Sequence, residues 1–201
     1  MSCTIGNVDL RDVVIQTANS IGVPPEIALG VAVIESGICQ YRPNGQLVIS
    51  SAGAIGVMQL EPATAAALGV DPKDPYDNIR GGCMYLSQMF AKYGSWQLAL
   101  AAYNWGPQKV DMEIRARGGY PNGFPSGVIS YVNNVMARAY TYGNAIAATK
   151  PTAPPVQPAP PGPDLTSSFD YSSTPPPAPG VSPTLIAVGI VGAIGLYLAL
   201  S

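Results

Sequence analysis

Apolar residues recur at helical spacing over the first 145 residues of the chain. Between Asp9 and Gly22 the spacing predicts an amphipathic helix that Asp9 caps and Gly22 ends. A second helix is predicted to open at Pro24-Pro25 and to run as far as Glu35. Every position from 28 to 34 is apolar or glycine. A helix that is apolar on every face must be buried, so this helix is predicted to lie at the centre of the fold.

Turn-forming residues separate the other predicted elements. The glycine-rich stretch 37–57 is predicted to be a loop, with a short β-like patch at 47–49. Further helices are predicted at residues 62–68, from a cap at Asp77 to Gly94, and at 96–103, 107–117 and 127–140. No convincing strand ladder is visible. The predicted fold class is therefore mainly α, a compact bundle around the helix that ends near Glu35.

Composition changes abruptly after this bundle. Residues 149–183 contain 12 of the 21 prolines of the chain, which predicts a Pro-rich linker, semi-rigid in polyproline II, at 148–183. Residues 185–200 carry no charge, and as a helix they would span about 24 Å. The prediction is a folded helical domain at 1–147, followed by the linker and a transmembrane anchor at 184–201. The glycines of this anchor could pack against another helix in the membrane. The alternative for the last segment is a disordered apolar tail.

Charge and rare residues exclude several function classes. The net charge is −2 and there is no basic cluster, which argues against a nucleic-acid partner. The chain has no histidine, so the commonest catalytic base and metal ligand is missing, and neither a metal nor a cofactor is predicted. The cysteines Cys3, Cys39 and Cys83 form no zinc-like spacing. They are interpreted either as small buried apolar residues or as a Cys39–Cys83 disulfide with one cysteine left over.

Glu35 is the strongest candidate for chemistry. It ends an apolar helix, where desolvation and the negative end of the helix dipole both disfavour its charge. Its pKa is therefore predicted to be raised, as a general acid requires. The alternative is that Glu35 turns outward into solvent.

Further motifs follow Glu35-Ser36 in a fixed order: residues 50–60 (SSAGAIGVMQL), 77–79 (DNI), 101–107 (AAYNWGP) and Tyr131-Val132. Together they resemble the successive motifs of lytic transglycosylases of the soluble type. The resemblance covers about residues 8–140. It implies a lysozyme-like α domain whose substrate is the glycan of peptidoglycan.

The resemblance also implies a mechanism and a set of site residues. Glu35 would protonate the glycosidic oxygen and then take a proton from the C6 hydroxyl of the sugar, which attacks C1 and leaves a 1,6-anhydro-muramoyl end. Met58 and Gln59 would meet sugar and N-acetyl groups, and the hydroxyl of Tyr131 would point at Glu35. The implied substrate-binding residues are Ser36, Gly56, Met58, Gln59, Tyr103, Asn104 and Tyr131.

Two segments depart from the family pattern. The stretch between Glu35 and Ser50 is longer and lacks the usual Phe/Asn pattern, so the shape of one cleft wall is open. Glu61 stands where the family more often has an apolar residue, and it is either a helix-start charge or a second carboxylate that serves hydrolysis. A lysozyme-type hydrolase is therefore one alternative function. A non-catalytic glycan-binding module and a structural membrane protein are the others.

The expected location combines the wall substrate with the predicted anchor. No basic segment followed by an apolar run is visible at the N-terminus, so no cleaved secretory signal is predicted. We therefore expect a membrane-anchored protein of a phage particle, which is delivered to the wall from outside and opens it locally for phage entry. The alternative is a tail-anchored enzyme of the bacterial cell envelope.

Overall fold

The structure, a computed structural model, describes residues 3–149. A short antiparallel hairpin comes first, with Thr4 paired to Asp9 and Ile5 to Val8. Seven helices follow it within the described residues. The elements are β1 (Thr4–Ile5), β2 (Val8–Asp9), α1 (Leu10–Ile21), α2 (Pro25–Ser36), α3 (Pro62–Leu68), α4 (Pro75–Tyr93), α5 (Trp96–Trp105), α6 (Pro107–Arg117) and α7 (Ser126–Thr149). The mainly α class is confirmed for this part of the chain.

Most helix ends lie where capping residues predict them. Asp9 accepts a hydrogen bond from the backbone N–H of Arg11, and Gly22 ends α1 in the left-handed conformation. The predicted cap of α4 was wrong. Asp74 caps this helix and accepts a 2.8 Å bond from the backbone N–H of Asp77. Pro75 lacks an N–H and its φ suits a first helical position, so the helix begins two residues before Asp77.

Three other parts of the structure differ from the prediction or define it in more detail. The hairpin β1–β2 was not predicted, because strands of two residues leave no periodic pattern. Helix α7 continues to Thr149, beyond the predicted end at 140, since no proline interrupts the chain before Pro151. The β-like patch at 47–49 is present as isolated bridges from Leu47 to Tyr41 and from Ile49 to Ile55.

Helix α2 forms the centre of the core, as its sequence predicts. Residues 27–32 are all buried, and the helix packs against α1, α4 and α7. The predicted stripe on α7 is also buried, at Val128, Val132, Val135 and Ala139. Gly30 allows the two helices to approach, because a Cβ at this position would lie 2.8 Å from the carbonyl oxygen of Val135. The crossing of α2 and α7 thus depends on a residue without a side chain.

The predicted Cys39–Cys83 disulfide is wrong. Cys3 pairs with Cys39, with their Cα atoms 5.1 Å apart, so the bridge ties the start of the hairpin to the segment after α2. Cys83 is a free thiol on the buried stripe of α4, where burial raises its pKa to about 12. Cys83 faces the core and so cannot meet Cys39 in the loop. The interpretation as a small buried apolar residue holds for Cys83 alone.

None of the helices within residues 3–149 is long and apolar enough to cross a membrane. Residues 150–201 contain the predicted anchor and nearly all of the predicted linker, and they lie outside the described residues.

Gly30→Ala should lower the free energy of unfolding by about 1–3 kcal/mol, because its methyl group would be forced against the backbone of α7. Gly127→Ala is the matched control, since a Cβ at Gly127 meets no atom within 4 Å. Urea titrations of residues 1–148 measure both variants. Equal midpoints for Gly30→Ala and the unchanged domain would show that α7 can shift away at no cost.

Candidate active site

A cleft of about 450 Å³ opens where α2 ends. The residues that line it come from the end of α2, the loop and helix start at 50–64, the middle of α4, and the junction of α5 and α6. Such a volume is typical of a site for a small ligand or one part of a polymer. Four of the predicted site residues line the cleft, namely Glu35, Gln59, Tyr103 and Asn104.

Glu35 is held by a tyrosine from the last helix. It is the penultimate residue of α2 and is half-buried. The hydroxyl of Tyr131 donates a 2.7 Å hydrogen bond to its Oε1, across 96 positions of sequence. Burial raises the pKa of Glu35, and the bond from Tyr131 partly opposes this rise. The predicted direction of the shift is therefore confirmed, with desolvation as its main cause.

The tyrosines around Glu35 remain neutral donors. Burial, together with the negative charge of Glu35, raises the pKa values of Tyr131 and Tyr103 well above their usual range. Both phenols therefore hold their protons more strongly than an ordinary tyrosine does. Since Oε1 of Glu35 accepts from Tyr131, its Oε2 is the oxygen left to carry the acidic proton.

Two buried amide side chains hold the loop that forms one side of the cleft. Gln40 and Asn78 are fully buried. Gln40 accepts from the backbone N–H of Val57 at 3.0 Å and donates to the carbonyls of Pro72 and Lys73. Asn78 accepts from the N–H of Met58 at 2.8 Å and donates to the carbonyls of Ile55 and Pro72. Backbone groups that a loop cannot pair by itself are thus satisfied by side chains.

Gly56 faces these amides and does not line the cleft. Its φ is +79°, and a Cβ there would lie 2.6 Å from Nδ2 of Asn78 and still closer to Oε1 of Gln40. Gly56 therefore makes close contacts with Gln40 and Asn78, and its implied role in substrate binding stays a prediction. Its small size lets the amides reach the loop.

Met58 and Ser36 also lie outside the cleft lining. The side chain of Met58 is fully buried against Gly82 of α4, so the expectation that it meets a sugar is corrected. A thioether is apolar and flexible, which suits it to filling a core. The carbonyl of Met58 accepts a 2.7 Å bond from the hydroxyl of Tyr103. Ser36 donates to the carbonyl of Val57 at 2.8 Å and so ties the end of α2 to the same loop.

Gln59 and Asn104 present polar groups to the cleft. Gln59 has a φ of +47°, which is uncommon for a residue with a side chain. Its Nε2 donates to the carbonyl of Gly56 at 2.8 Å, which fixes the amide plane and leaves its oxygen as the free acceptor. Asn104 is exposed at the end of α5. Contact of either residue with a sugar stays a prediction.

Sequence reasoning missed several residues that line the cleft. Tyr85 packs its ring against that of Tyr103, with centroids 5.3 Å apart, and helps to form the cleft. Trp105 and Lys109 line the part formed by α5 and α6. Trp105 stood inside the quoted motif, so its aromatic ring was the available signal. Within residues 3–149, no group of three or more His, Cys, Asp or Glu residues is arranged to hold a metal.

The family model of the transglycosylase SLT domain matches residues 12–122, which is more than half of the chain. A transglycosylase of Enterobacteria phage PRD1 is 32% identical over 120 residues. The match covers 59% of this chain and 41% of the phage protein.

Solved structures of lytic transglycosylases are also similar to this chain. The 70-kDa soluble lytic transglycosylase of Escherichia coli matches with a TM-score of 0.57 and 26% identity, over 67% of this chain and 24% of that one. The same 70-kDa enzyme in complex with bulgecin A matches with a TM-score of 0.59 and 25% identity, over 67% and 24%. An inactive Glu-to-Gln mutant of the lytic transglycosylase Slt of Pseudomonas aeruginosa matches with a TM-score of 0.56 and 26% identity, over 70% and 25%. The chain thus spans less than half of the phage relative and about a quarter of these structures.

Tyr131→Phe should shift the pH profile of the glycan cleavage that the sequence motifs predict. Loss of its hydrogen bond removes the contact that lowers the pKa of Glu35, so this pKa should rise further. A general acid works only while protonated, and activity falls as the pH rises through its pKa. The descending limb of kcat/KM should therefore move to higher pH, while kcat drops.

Tyr140→Phe is the control for this shift, because Tyr140 lies on the same helix and is 75% exposed. If the descending limb of Tyr131→Phe coincides with those of the control and the unchanged protein, Tyr131 does not tune Glu35.

Proposed function

We propose, since the chain belongs to the transglycosylase SLT family, that its cleft cleaves the β-1,4 bond between MurNAc and GlcNAc in peptidoglycan and leaves 1,6-anhydro-MurNAc ends. The observation that carries the proposal is the hydrogen bond from the buried phenol of Tyr131 to Glu35, a half-buried carboxyl with a raised pKa that lines the cleft. This pair supplies a positioned acid at the place where a glycan strand would lie.

The reaction uses one carboxyl group twice. Glu35 donates the proton on Oε2 to the glycosidic oxygen, and the bond between C1 and that oxygen breaks. The C6 hydroxyl of the same MurNAc then attacks C1, and its proton returns to the Glu35 carboxylate. The glycosidic bond to the neighbouring sugar is exchanged for an internal glycosidic bond between C1 and O6, no water is consumed, and Glu35 regains its protonated form. Tyr131 donates to Oε1 throughout and so holds the carboxyl plane.

The carboxylates of the cleft favour this route over hydrolysis. Hydrolysing glycosidases use two carboxylates on either side of the bond. Besides Glu35, the cleft lining contains Glu61 as its second carboxylate, and Glu61 is exposed at the N-terminal end of α3. An exposed carboxylate without a fixed partner is poorly placed to activate one water molecule. A lysozyme-type hydrolase is therefore the second candidate, with Glu61 as its base.

The relatives support the same activity. The phage relative is named a transglycosylase, and the structural relatives are lytic transglycosylases. One of these structures is an inactive mutant in which a glutamate is replaced by glutamine, which agrees with an essential role for a glutamate in that enzyme.

Glu35→Gln should reduce cleavage of purified sacculi by a factor of about 10²–10⁴, because the amide keeps the shape of the side chain but cannot transfer a proton. Glu26→Gln is the matched control, as Glu26 lies in the first turn of the same helix. Mass spectrometry of the released fragments identifies the reaction of the unchanged protein. Anhydro ends support the proposal, reducing ends make the protein a hydrolase, and full activity of Glu35→Gln removes Glu35 from the mechanism.

We also propose that residues 184–201 anchor the enzyme in a membrane and that the linker carries the domain to the wall. The support is the uncharged stretch 185–200 and the Pro-rich linker before it. A phage virion membrane is the location that we favour, since the relative at 32% identity is a phage protein. The role would be local opening of the cell wall during infection. The bacterial envelope is the alternative location.

A chain truncated after residue 148 should stay in the aqueous phase, whereas the full chain should bind lipid vesicles. Gly192→Arg, near the middle of the apolar stretch, should weaken insertion by roughly 2.5–3.5 kcal/mol. Flotation of the three proteins with vesicles measures this. If the full chain does not float, or if Gly192→Arg floats equally well, residues 184–201 are not an anchor.

A further inference from the structure

The cleft contains two charged side chains that the proposed reaction does not use. Of the residues that line it, Glu35, Glu61 and Lys109 carry formal charges. Glu61 and Lys109 are exposed. The ion pairs of the described residues join Arg80 to Asp77, Lys92 to Asp111 and Arg117 to Glu113, so neither Glu61 nor Lys109 has an ionic partner among residues 3–149.

Lys109 has a defined position beside an aromatic ring. It is the third residue of α6, and its Nζ lies 5.8 Å from the centroid of the Trp105 ring. That ring packs against Phe124, with centroids 5.8 Å apart, which keeps it in place. A cation in the first turn of a helix is disfavoured by the helix dipole. The site thus combines a flat apolar surface, which suits the face of a sugar, with an ammonium group that forms no ion pair within the described residues and does not stabilise its helix.

Glu61 supplies the opposite charge from the other lining segment. It precedes α3. Burial is the main cause of the raised pKa of Tyr85, and the negative charge of Glu61 adds to the rise. Tyr85 lines the same cleft. The cleft therefore presents one ammonium and one exposed carboxylate on two different segments.

The glycan backbone of peptidoglycan gives these charges nothing to pair with. N-acetylated sugars are neutral, and the lactyl group of MurNAc is neutral when a peptide is attached through an amide. The peptide substituents carry the charge, as carboxylates and, at an uncross-linked diamino acid, an ammonium group. Building on the proposed function, we infer that Lys109 and Glu61 bind the peptide stem of the substrate, Lys109 through a carboxylate and Glu61 through an amine. The preferred substrate is then a glycan strand that still bears its peptides.

The test compares KM for chemically modified sacculi. Lys109→Met keeps the apolar stem over Trp105 but removes the charge, and Lys109→Arg keeps the charge. With intact sacculi, Lys109→Met should raise KM about two- to fivefold relative to Lys109→Arg. With sacculi whose carboxylates have been converted to amides, the two variants should have the same KM. Lys92→Met, which removes a positive charge outside the cleft, should match the unchanged protein on both.

Glu61 has its own pair of substrates. With intact sacculi, Glu61→Gln should raise KM by a similar factor relative to the unchanged protein. With sacculi whose free amines have been acetylated, Glu61→Gln and the unchanged protein should have the same KM. If either variant raises KM equally on modified and unmodified sacculi, its role is structural and the inference is overturned.

A third substrate separates the stem from the lactyl group. Amidase-treated glycan has lost its peptides, which frees the lactyl carboxylate of MurNAc. If Lys109→Met raises KM only with this glycan, Lys109 binds the lactyl group and its assignment to the peptide stem is overturned. Absence of anhydro products from every substrate would defeat the proposed function instead.

A binding measurement tests the inference even if no anhydro product is found. Sedimentation of the full chain carrying Glu35→Gln with intact and amidated sacculi should show tighter binding to the intact form. Adding Lys109→Met should abolish this difference, and its persistence would overturn the inference.

Discussion

The arrangement of the cleft depends on two buried amide side chains that satisfy a loop without regular structure. Gln40 and Asn78 bind the backbone of residues 55–58, where polar groups would otherwise be buried without partners. The loop so fixed offers the carbonyl of Met58 to Tyr103 and the carbonyl of Val57 to Ser36. Loss of one amide would leave unpaired groups in the core and release the cleft wall together with the end of α2.

The environment of Glu35, the proposed acid, results from the packing of α2 against α7. Gly30 lets the backbones of the two helices approach, and one turn further along α2 this places Glu35 beside Tyr131. Burial disfavours the charged carboxylate and so raises the pKa of Glu35, whereas the hydrogen bond from Tyr131 lowers this pKa by a smaller amount. Stability follows the same linkage. A folded-state pKa above the unfolded one favours the fold at low pH, and this contribution is lost as the pH rises through the folded value.

The sequence predicted what local patterns determine. The all-apolar segment 28–34 identified a central helix, and its terminal Glu35 has the raised pKa expected from burial. The patterns could not show which face of a loop residue is buried. Gly56 and Met58 stood in a motif that resembles a substrate loop, yet both turn toward the core. Long-range pairing was equally inaccessible. Nothing in the spacing of the cysteines indicates that Cys3, in a hairpin of two-residue strands, reaches Cys39.

The disulfide between Cys3 and Cys39 makes the stability of the Glu35 end of α2 depend on the redox state of the compartment. Ile38, next to Cys39, has a φ of +67°, a conformation that a β-branched residue adopts only under constraint. The bridge closes a loop with a sequence separation of 36, and such a link raises the free energy of unfolding by about 2–4 kcal/mol where thiols are oxidised. In a reducing cytosol the same chain lacks this contribution. The free energy of unfolding of the domain around Glu35 is therefore higher in an oxidising environment outside the cell than in the cytosol where the chain is made.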